Sequence, residues 1–274
     1  MRQAYSSYQS GGNWETTTER EAALEHNPFD LTGRRALVTG SSRGIGLGLA
    51  RGLAKAGAAV LLNGRDHERL RALAETIPGS GVLAFDVTDH AAARAAVDRE
   101  EAAAGPIDIL VNNAGVQYRA PLQDIPVEEW ERLLRTNLSG LFHVGQACAR
   151  HMIARRRGKI INIASVQTAL ARATIAPYAA TKGAVGNLTK GMAADWARFG
   201  INCNALAPGY IRTDINRVLQ EDLAFNAWLL ERTPAGRWGT TDDLVGASVF
   251  LASDASAFVH GQVLYVDGGV TATV

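Results

Sequence analysis

Three side chains in the second half of the chain have the chemistry of a proton-transfer site. Tyr178 and Lys182 are four positions apart, so on a helix they lie on the same face. Ser165 precedes Tyr178 by thirteen residues and follows the aliphatic run Lys159–Ile163, which has the composition of a buried strand. A free tyrosine is a poor base at neutral pH because its pKa is about 10. A neighbouring ammonium favours the phenolate, so we expect Lys182 to lower the pKa of Tyr178.

A glycine-rich turn nearer the N-terminus has the features of a nucleotide-binding loop. Residues 40–46 read Gly-Ser-Ser-Arg-Gly-Ile-Gly, between a strand-like run and a helix-like stretch. Glycines let the backbone approach a pyrophosphate, and the following helix N-terminus offers free N–H groups and a positive dipole. A purely structural βα turn is the alternative. The strand before the turn and the helix after it favour nucleotide binding.

The end of the second strand-like run indicates which dinucleotide binds. A cofactor with a free ribose 2′-hydroxyl requires Asp or Glu at this place. Here the run ends Leu62-Asn63-Gly64-Arg65, and the first acid is Asp66. Gly64 leaves room for a 2′-phosphate, which Arg65 and Arg43 could bind through charge-assisted hydrogen bonds. We therefore predict NADP as the cofactor, with NAD still possible; the alternative is that both arginines are solvated surface groups.

The elements that must position these residues alternate along the chain from Leu31 onward. The short β-branched or aliphatic runs are Arg35–Thr39, Val60–Asn63, Val82–Asp86, Ile107–Val111, Lys159–Ile163, Ile201–Ala207 and Val263–Val266. Their nearly continuous apolar content is typical of strands buried on both faces. Stretches with helical spacing separate them, which predicts right-handed βαβ units. The predicted fold class is α/β: a single-domain Rossmann fold with a doubly wound parallel sheet, helices on both faces and a small lid.

Composition divides the chain into a tail and one domain. Residues 1–28 are mostly polar and are predicted to form a flexible N-terminal tail. Residues 29–274 form the predicted dinucleotide-binding catalytic domain. Within it, residues 212–239 are long for a plain crossover and carry Phe225, Trp228 and Trp238. We interpret this segment as a lid over a pocket, with a peripheral helix pair that packs its aromatic residues as the alternative.

The overall composition excludes several classes of protein. The chain has 274 residues, of which 47% are apolar and 20% charged, and its formal net charge is +1. These values are globular, and they predict neither nucleic acid nor a membrane as a partner. Two cysteines exclude a disulfide scaffold, and no signal-like or membrane-spanning apolar run is present. We expect a cytoplasmic protein without a metal site.

Taken together, the motifs resemble those of the short-chain dehydrogenases/reductases. The matching residues are Thr39-Gly40-x-x-x-Gly44-x-Gly46, Asn112-Asn113-Ala114-Gly115, Asn137, Ser165, Tyr178-x-x-x-Lys182 and Pro208-Gly209. The resemblance extends over residues 31–274, in the family's order and spacing. It implies a seven-stranded parallel sheet, a nicotinamide cofactor and a homotetramer.

The resemblance also implies the roles of four catalytic residues. Tyr178 would exchange a proton with the substrate oxygen, and Lys182 would lower its pKa and bind the nicotinamide ribose. Ser165 would place the reacting oxygen, and Asn137 would hold a water molecule in a proton relay. The expected cofactor-binding residues are Gly40, Ser42, Arg43, Gly44, Ile45, Gly46, Asn63, Gly64, Arg65, Asp86, Val87, Asn113, Ala114, Gly115, Tyr178, Lys182, Pro208, Gly209, Ile211 and Thr213.

Some of these residues also have structural interpretations. Asn112 and Asn113 could satisfy buried backbone groups. Asp86 could cap the helix that follows it.

Within the family, the chain resembles the gluconate 5-dehydrogenases. The stretches that carry this resemblance are 29–33, 62–65, 115–122, 165–167, 175–178, 207–210 and 232–239. It implies interconversion of D-gluconate and 5-dehydro-D-gluconate. The expected substrate-binding residues are Gln117, Arg119, Ser165, Gln167 and Tyr178.

Arg119 could pair with a carboxylate at two points, and an exposed loop arginine is the alternative. One departure from the subgroup is Ala169, where its members carry Glu, and this change puts gluconate itself in question. The rival interpretations are a 3-oxoacyl-[acyl-carrier-protein] reductase, another polyol or ketone reductase, and a sensor that binds NADP without turnover.

Overall fold

The structure is a computed structural model that describes residues 27–273. Within these residues, seven parallel strands form one sheet in the order β3-β2-β1-β4-β5-β6-β7. The strands are β1 Arg35–Val38, β2 Ala59–Leu62, β3 Gly81–Val82, β4 Ile109–Asn112, β5 Gly158–Ile163, β6 Ile201–Pro208 and β7 Val263–Val266. The predicted doubly wound seven-stranded sheet is therefore confirmed. Nearly all of the predicted N-terminal tail lies outside the described residues.

The connections between the strands are mostly helical. The α-helices in the described part are α1 Gly44–Lys55, α2 His67–Ala74, α3 His90–Ala104, α4 Val127–Leu134, α5 Gly140–Arg155, α6 Ala176–Trp196, α7 Arg217–Glu221, α8 Leu223–Arg232 and α9 Asp242–Ala252. Short 3₁₀ turns lie at Leu122–Asp124, Val166–Thr168, Ala197–Phe199, Asp214–Asn216 and Asp254–Ser256. A π-helical turn, Arg135–Ser139, joins α4 to α5. Helices thus follow the strands on both sides of the sheet.

The core has two apolar layers, one on each face of the sheet. Leu37 of β1 points into a cluster with Leu110 and residues of α3, α5 and α6. Its neighbours Ala36 and Val38 point into the opposite cluster, with residues of α1 and α9. This alternation follows from the two-residue period of a strand. Because both faces are covered, the central strands are apolar at nearly every position.

The order of strands creates a crevice at the centre of the sheet. β1 pairs with β2 on one side and with β4 on the other. The chain therefore changes direction across the sheet beside β1. In parallel α/β sheets, ligands bind outside the carboxyl ends of the strands at such a point.

Two strands at the edges differ from the sequence prediction. The run predicted as Val82–Asp86 forms a strand only at Gly81–Val82. Beyond it, the Asn63 side chain donates hydrogen bonds to the carbonyls of Leu83 and Phe85, in place of continued strand pairing. β7 is half-buried along its whole length because it lies at the other edge. Full burial on both faces was thus correct only for the inner strands.

Residues 27–273 contain neither a membrane-spanning helix nor a cluster of metal-ligating side chains. No helix in residues 27–273 has the length and apolar character needed to cross a membrane. No group of three or more metal-ligating side chains clusters within the same part of the chain.

Candidate active site

A cavity of about 510 Å³ lies in the central crevice, above the carboxyl ends of the strands. Small-molecule and cofactor sites have volumes of roughly 300–1,000 Å³. Every residue that the sequence predicted to bind the cofactor lines this cavity. Tyr178, Ser165 and Lys182 line it as well, so one space holds the nucleotide turn and the proton-transfer residues.

The glycine turn leads directly into α1, whose N-terminus faces the cavity. Arg43 precedes the helix in an extended conformation, and α1 has neither a capping side chain nor an acid in its first turn. Its first backbone N–H groups are therefore free to bind an anion. Gly40 has φ +63°, and a Cβ there would lie 2.8 Å from Cα of Ala114. Only glycine fits at this position.

The residues opposite the turn are held by side chain to backbone hydrogen bonds. Asn113 Nδ2 donates to the carbonyls of Thr39 and Gly40. Thr39 Oγ1 accepts from the backbone N–H groups of Asn113 and Ala114. Asn112 donates to Asn162 across the sheet at 3.0 Å. Asn113 therefore satisfies backbone groups and lines the cavity at the same time, whereas Asn112 bonds to a side chain.

The cap of α3 is Asp89, which accepts a hydrogen bond from the backbone of Ala92. The alternative interpretation of Asp86 as the helix cap was therefore wrong. Asp86 accepts from the backbone and hydroxyl of Thr88 and lines the cavity. The carboxylate of Asp86 thus belongs to the cavity wall and not to the helix terminus.

The region beside the end of β2 fits a 2′-phosphate. A Cβ added to Gly64 would meet only Leu70, at 3.6 Å, so the space beside it is open. Arg43 and Arg65 are exposed and line the cavity. Neither forms an ion pair with an acid among residues 27–273. A free helix N-terminus and two available guanidinium groups are the donors that a dinucleotide with an extra phosphate requires.

Tyr178, Ser165 and Lys182 meet where β5 and α6 face the cavity. Tyr178 lies in the first turn of α6, one turn before Lys182. The ammonium of Lys182 lies 5.7 Å from the centroid of the Tyr178 ring. It donates to the backbone carbonyl of Ile163, the last residue of β5, at 2.6 Å. Ser165 follows that strand and lines the same cavity as Tyr178 and Lys182.

The pKa values of this group differ from the expectation. Burial raises the pKa of Tyr178, against the weaker effects of the Ser165 hydrogen bond and the Arg119 charge. Burial also lowers the pKa of Lys182 to about 8. Lys182 is not among the groups that shift the pKa of Tyr178 here, so the lowering of that pKa by Lys182 stays a prediction. Its ammonium is directed at the Ile163 carbonyl, and desolvation penalises the charged form of each group.

Asn137 lies in the π-helical turn between α4 and α5 and is buried. Its Oδ1 accepts from the backbone N–H of Val116 at 2.8 Å, and its Nδ2 donates to the Val116 carbonyl at 2.9 Å. Nδ2 also donates to Thr181 Oγ1 at 3.2 Å. π-turns of this kind often occur at functional sites. Asn137 thus ties the loop after β4 to α6, the helix that carries Tyr178 and Lys182.

The predicted substrate residues divide into two groups. Gln117, Ser165 and Tyr178 line the cavity, whereas Arg119 and Gln167 do not. Arg119 is half-buried, and its guanidinium donates to Gln117 Oε1 at 3.1 Å. The alternative of an exposed loop arginine was therefore wrong.

One of the predicted substrate-binding residues, Gln167, has a buried polar atom without a hydrogen-bond partner among residues 27–273. Gln167 is buried, and its Oε1 has no hydrogen-bond partner within the described part of the chain. Ala169, where the related subgroup carries Glu, is exposed at the end of the 3₁₀ turn Val166–Thr168. Position 169, where the subgroup carries the acid, thus lies at the surface, whereas Gln167 is buried.

Several residues near the site were missed by sequence reasoning. Further residues that line the cavity are Phe85, Thr88, Val116, Arg132, Arg135, Thr136, Ile163, Ala164, Asp214, Ile215 and Asn216. Arg172 and Tyr210 also belong to the surroundings of Arg119, since the charge of each acts on the pKa of Arg119. The sequence signal that could have identified these two residues is their position next to the motifs Tyr178-x-x-x-Lys182 and Pro208-Gly209. Nothing in the sequence distinguished Arg132 or Arg135 from surface residues.

The segment predicted as a lid contains the short helices α7 and α8. Phe225 of α8 packs on Tyr210, Trp228 and Trp238, with ring centroids 5.7, 5.3 and 6.4 Å away. The helix pair with packed aromatic residues is therefore confirmed. Asp214, Ile215 and Asn216 at the start of the segment line the cavity.

The fold and the site together define an oxidoreductase of the dinucleotide-binding class. A family profile described as enoyl-(acyl carrier protein) reductase matches residues 40–271. The chain belongs to the short-chain dehydrogenase/reductase family.

Two relatives and one solved structure show which members of the family the chain is similar to. The chain is 57% identical over 250 residues to the gluconate 5-dehydrogenase of Gluconobacter oxydans, covering 90% of this chain and 98% of the relative. It is 48% identical over 250 residues to the 5-keto-D-gluconate 5-reductase of Escherichia coli K12, with the same coverage. A crystal structure of a gluconate 5-dehydrogenase from Burkholderia cenocepacia in complex with NADP and tartrate is 61% identical, with a TM-score of 0.89. It covers 90% of this chain and 98% of that one.

Proposed function

We propose that the protein is an NADP-dependent dehydrogenase that interconverts D-gluconate and 5-dehydro-D-gluconate. The observation that carries this proposal is the half-buried Arg119 guanidinium, which donates to Gln117 in the wall of the cavity that Tyr178 also lines. A cation at this place suits a substrate that has a carboxylate at one end and an alcohol further along its chain. Relatives named for gluconate and 5-ketogluconate support the same substrate.

The chemistry assigned to the chain is acid–base catalysis. Tyr178 takes the proton of the substrate hydroxyl as the phenolate during oxidation and returns it as the phenol during reduction. Ser165 hydrogen-bonds the same oxygen and holds it against the phenol. NADP, when bound, supplies the acceptor for the hydride that leaves the carbon. Lys182 binds the nicotinamide ribose, and Asn137 holds the water that connects Lys182 to solvent.

Substrate orientation is assigned to the polar residues beside the cavity. Arg119 pairs with the carboxylate, so the distance from this cation to Tyr178 selects which hydroxyl reacts. Gln117 and Gln167 bind the remaining hydroxyl groups. The free N–H groups of α1, with Arg43 and Arg65, bind the phosphates of the cofactor. The segment 212–239 serves as a lid over this space.

A steady-state assay with four compound classes tests the proposed function. We expect oxidation of D-gluconate with NADP at a kcat/KM at least tenfold above that for a six-carbon neutral polyol such as D-sorbitol. Reduction of a 3-oxoacyl thioester in preference to 5-dehydro-D-gluconate would identify a fatty-acid reductase instead. Binding of NADP without turnover of any sugar acid, polyol or thioester would identify a sensor.

The setting of the enzyme is also part of the proposal. By its resemblance to the family, residues 29–274 act as one catalytic domain in a cytoplasmic homotetramer. Light scattering coupled to gel filtration measures the oligomeric state directly. A monomer or dimer at micromolar concentration would contradict the tetramer without affecting the proposed reaction.

A further inference from the structure

A second arginine shares the environment of Arg119. Arg172 lies in the loop between the 3₁₀ turn Val166–Thr168 and α6 and is half-buried. The charge of Arg172 lowers the pKa of Arg119, which burial already disfavours. Among residues 27–273, no carboxylate forms an ion pair with either arginine. Two neighbouring cations that share a partly dry place without an acid repel each other, and an anion between them would remove this repulsion.

Both guanidinium groups have hydrogen-bond donors that the described residues do not use. The Nε atoms of Arg119 and Arg172 are buried without a partner in this part of the chain. Gln167 lies in the 3₁₀ turn that precedes the loop of Arg172, and its Oε1 atom is also buried without a partner in the described residues. Buried polar groups in native proteins are nearly always satisfied, so unused donors and an unused acceptor indicate a ligand with both kinds of group. A sugar acid has a carboxylate for the donors and hydroxyl groups for the acceptor.

The lid segment holds Arg172 in place. Its guanidinium carbon lies 5.2 Å above the centroid of the Phe225 ring, a cation–π contact. The Tyr210 ring in turn packs on Phe225, with ring centroids 5.7 Å apart. On the other side, Arg119 donates to Asn216 Oδ1 at 3.5 Å, at the start of the same segment. Residues of the lid segment therefore fix both cations.

The two loops that carry the arginines are joined to each other. The backbone N–H of Ala120 donates to the carbonyl of Thr174 at 3.1 Å. Thr174 has φ +71°, a left-handed conformation that is costly for a β-branched residue. Strain of this kind persists where the surroundings impose it, and it concentrates at binding sites. The hydrogen bond between Ala120 and Thr174 thus connects the loop of Arg119 to the loop of Arg172.

We propose that Arg172 is a second carboxylate-binding residue and that it binds the sugar acid together with Arg119. This proposal rests on the proposed function for the nature of the substrate. Arg119 and Arg172 each offer a planar set of N–H donors, and a carboxylate has two oxygens that can accept from both. Because Phe225 packs against the Arg172 guanidinium, this lid residue takes part in selecting acids over neutral polyols.

The test compares Arg172→Gln with wild type on a charged and a neutral substrate. Arg172→Gln keeps a polar side chain but removes the charge. We expect kcat/KM for D-gluconate to fall by about ten- to a hundredfold, since hydrogen bonds to charged groups are strong. The loss should lie in KM, with kcat changed less than about threefold. The kcat/KM for D-sorbitol should stay within about threefold of the wild-type value.

Two further variants keep this comparison interpretable. Arg217→Gln removes an arginine of the lid segment whose side chain is 70% exposed. It should leave kcat/KM unchanged for both substrates. Arg172→Lys retains the charge but loses the paired donors, so an intermediate loss confined to D-gluconate is expected. Arg172→Lys decides the question if Arg172→Gln does not fold, as judged by circular dichroism. A loss on D-gluconate below twofold, or equal losses on both substrates, would overturn the proposal.

Calorimetric titration of the NADPH-loaded enzyme with D-gluconate separates this proposal from the proposed function. Weaker binding by Arg172→Gln, by about tenfold or more, supports the two-arginine site even if wild type oxidises no gluconate. In that case the reaction assignment fails and the carboxylate site stands. Wild-type turnover of gluconate with unchanged binding by Arg172→Gln has the opposite meaning: the reaction stands and the role of Arg172 is wrong. Absence of gluconate binding by wild type would overturn both.

Discussion

Lys182 donates a hydrogen bond from Nζ to the backbone carbonyl of Ile163 at 2.6 Å. Ile163 ends β5, just before Ser165, and Lys182 lies on α6, one turn after Tyr178. This bond joins the strand and the helix that supply the three proton-transfer residues. The relative position of Ser165 and Tyr178 therefore depends on how α6 packs against the sheet. Spacing along the helix accounts only for the pair Tyr178 and Lys182.

Replacement of Tyr178 by Phe is expected to remove most of the turnover. The phenol oxygen is the proposed proton carrier, and general acid–base catalysis contributes typically about 10²–10⁴-fold. We expect kcat to fall within that range while the affinity for NADP and the melting temperature stay near wild type. Tyr265→Phe, on the edge strand β7, is the matched control and should keep full activity. A Tyr178→Phe enzyme with kcat within a few-fold of wild type would show that another group moves the proton.

Replacement of Gly64 by Asp is expected to shift cofactor preference toward NAD. The structure has room for the new side chain, because a Cβ at Gly64 makes only an ordinary contact with Leu70 at 3.6 Å. The carboxylate would repel a 2′-phosphate and accept from a 2′-hydroxyl. We expect the ratio of kcat/KM for NADP over NAD to fall by about tenfold or more.

The control for this change is Gly64→Ala, which adds the Cβ without the charge and should leave the ratio nearly unchanged. A similar fall in both variants would mean that side-chain volume, and not charge, sets the preference. A wild-type enzyme that prefers NAD would show that Arg43 and Arg65 do not read the phosphate.

Replacement of Asn137 by Ala is expected to destabilise the protein and slow turnover. The change leaves the N–H and C=O groups of Val116 without their side-chain partner. Unsatisfied buried groups cost about 1–3 kcal/mol each, so the free energy of unfolding should fall by at least about 1 kcal/mol. Urea denaturation measures the loss, and kcat measures its effect on the site. Asn187→Ala, at an exposed position of α6, should change neither quantity.

A pH-dependent gain in stability is expected for Lys159→Met. Lys159 is buried at the start of β5, and burial lowers its pKa to about 8 from an ordinary 10.5. Between these pH values the unfolded chain binds more protons than the folded chain, so stability rises with pH across this window. Below about pH 8 the penalty for the buried charge is fully present, and Lys159→Met removes it.

The measurement is urea denaturation of wild type and Lys159→Met at pH 7 and at pH 9.5. The variant should gain more at pH 7 than at pH 9.5, by about 2 kcal/mol. Lys190→Met, at an exposed position of α6, should show no such difference between the two pH values. An equal effect of Lys159→Met at both pH values would mean that Lys159 remains solvated in the folded chain.

Local features of the sequence determined much of the fold and the cofactor side of the site. Buried strands have continuous apolar runs, and glycines mark the turn that leads into α1, so both are visible over a few residues. The pair Tyr178 and Lys182 is equally local, since one helical turn separates them. For this reason the alternation of strands and helices, the turn 40–46 and the pairing of Tyr178 with Lys182 could all be predicted. The length of β3 could not, because it depends on the contacts that Asn63 makes with the following chain.

Tertiary structure alone decided the electrostatics and the substrate side. The pKa of Tyr178 is raised because packing excludes water from its phenol, and residue spacing contains no measure of burial. Arg119 donates a hydrogen bond to Asn216, 97 positions away. The Arg172 guanidinium lies over the Phe225 ring, and its charge acts on the pKa of Tyr210. Each of these interactions joins segments that are distant in sequence. The types of the side chains involved do not distinguish them from ordinary surface residues. Their meeting follows from the crevice at the carboxyl ends of the strands, where the loops of a parallel sheet converge.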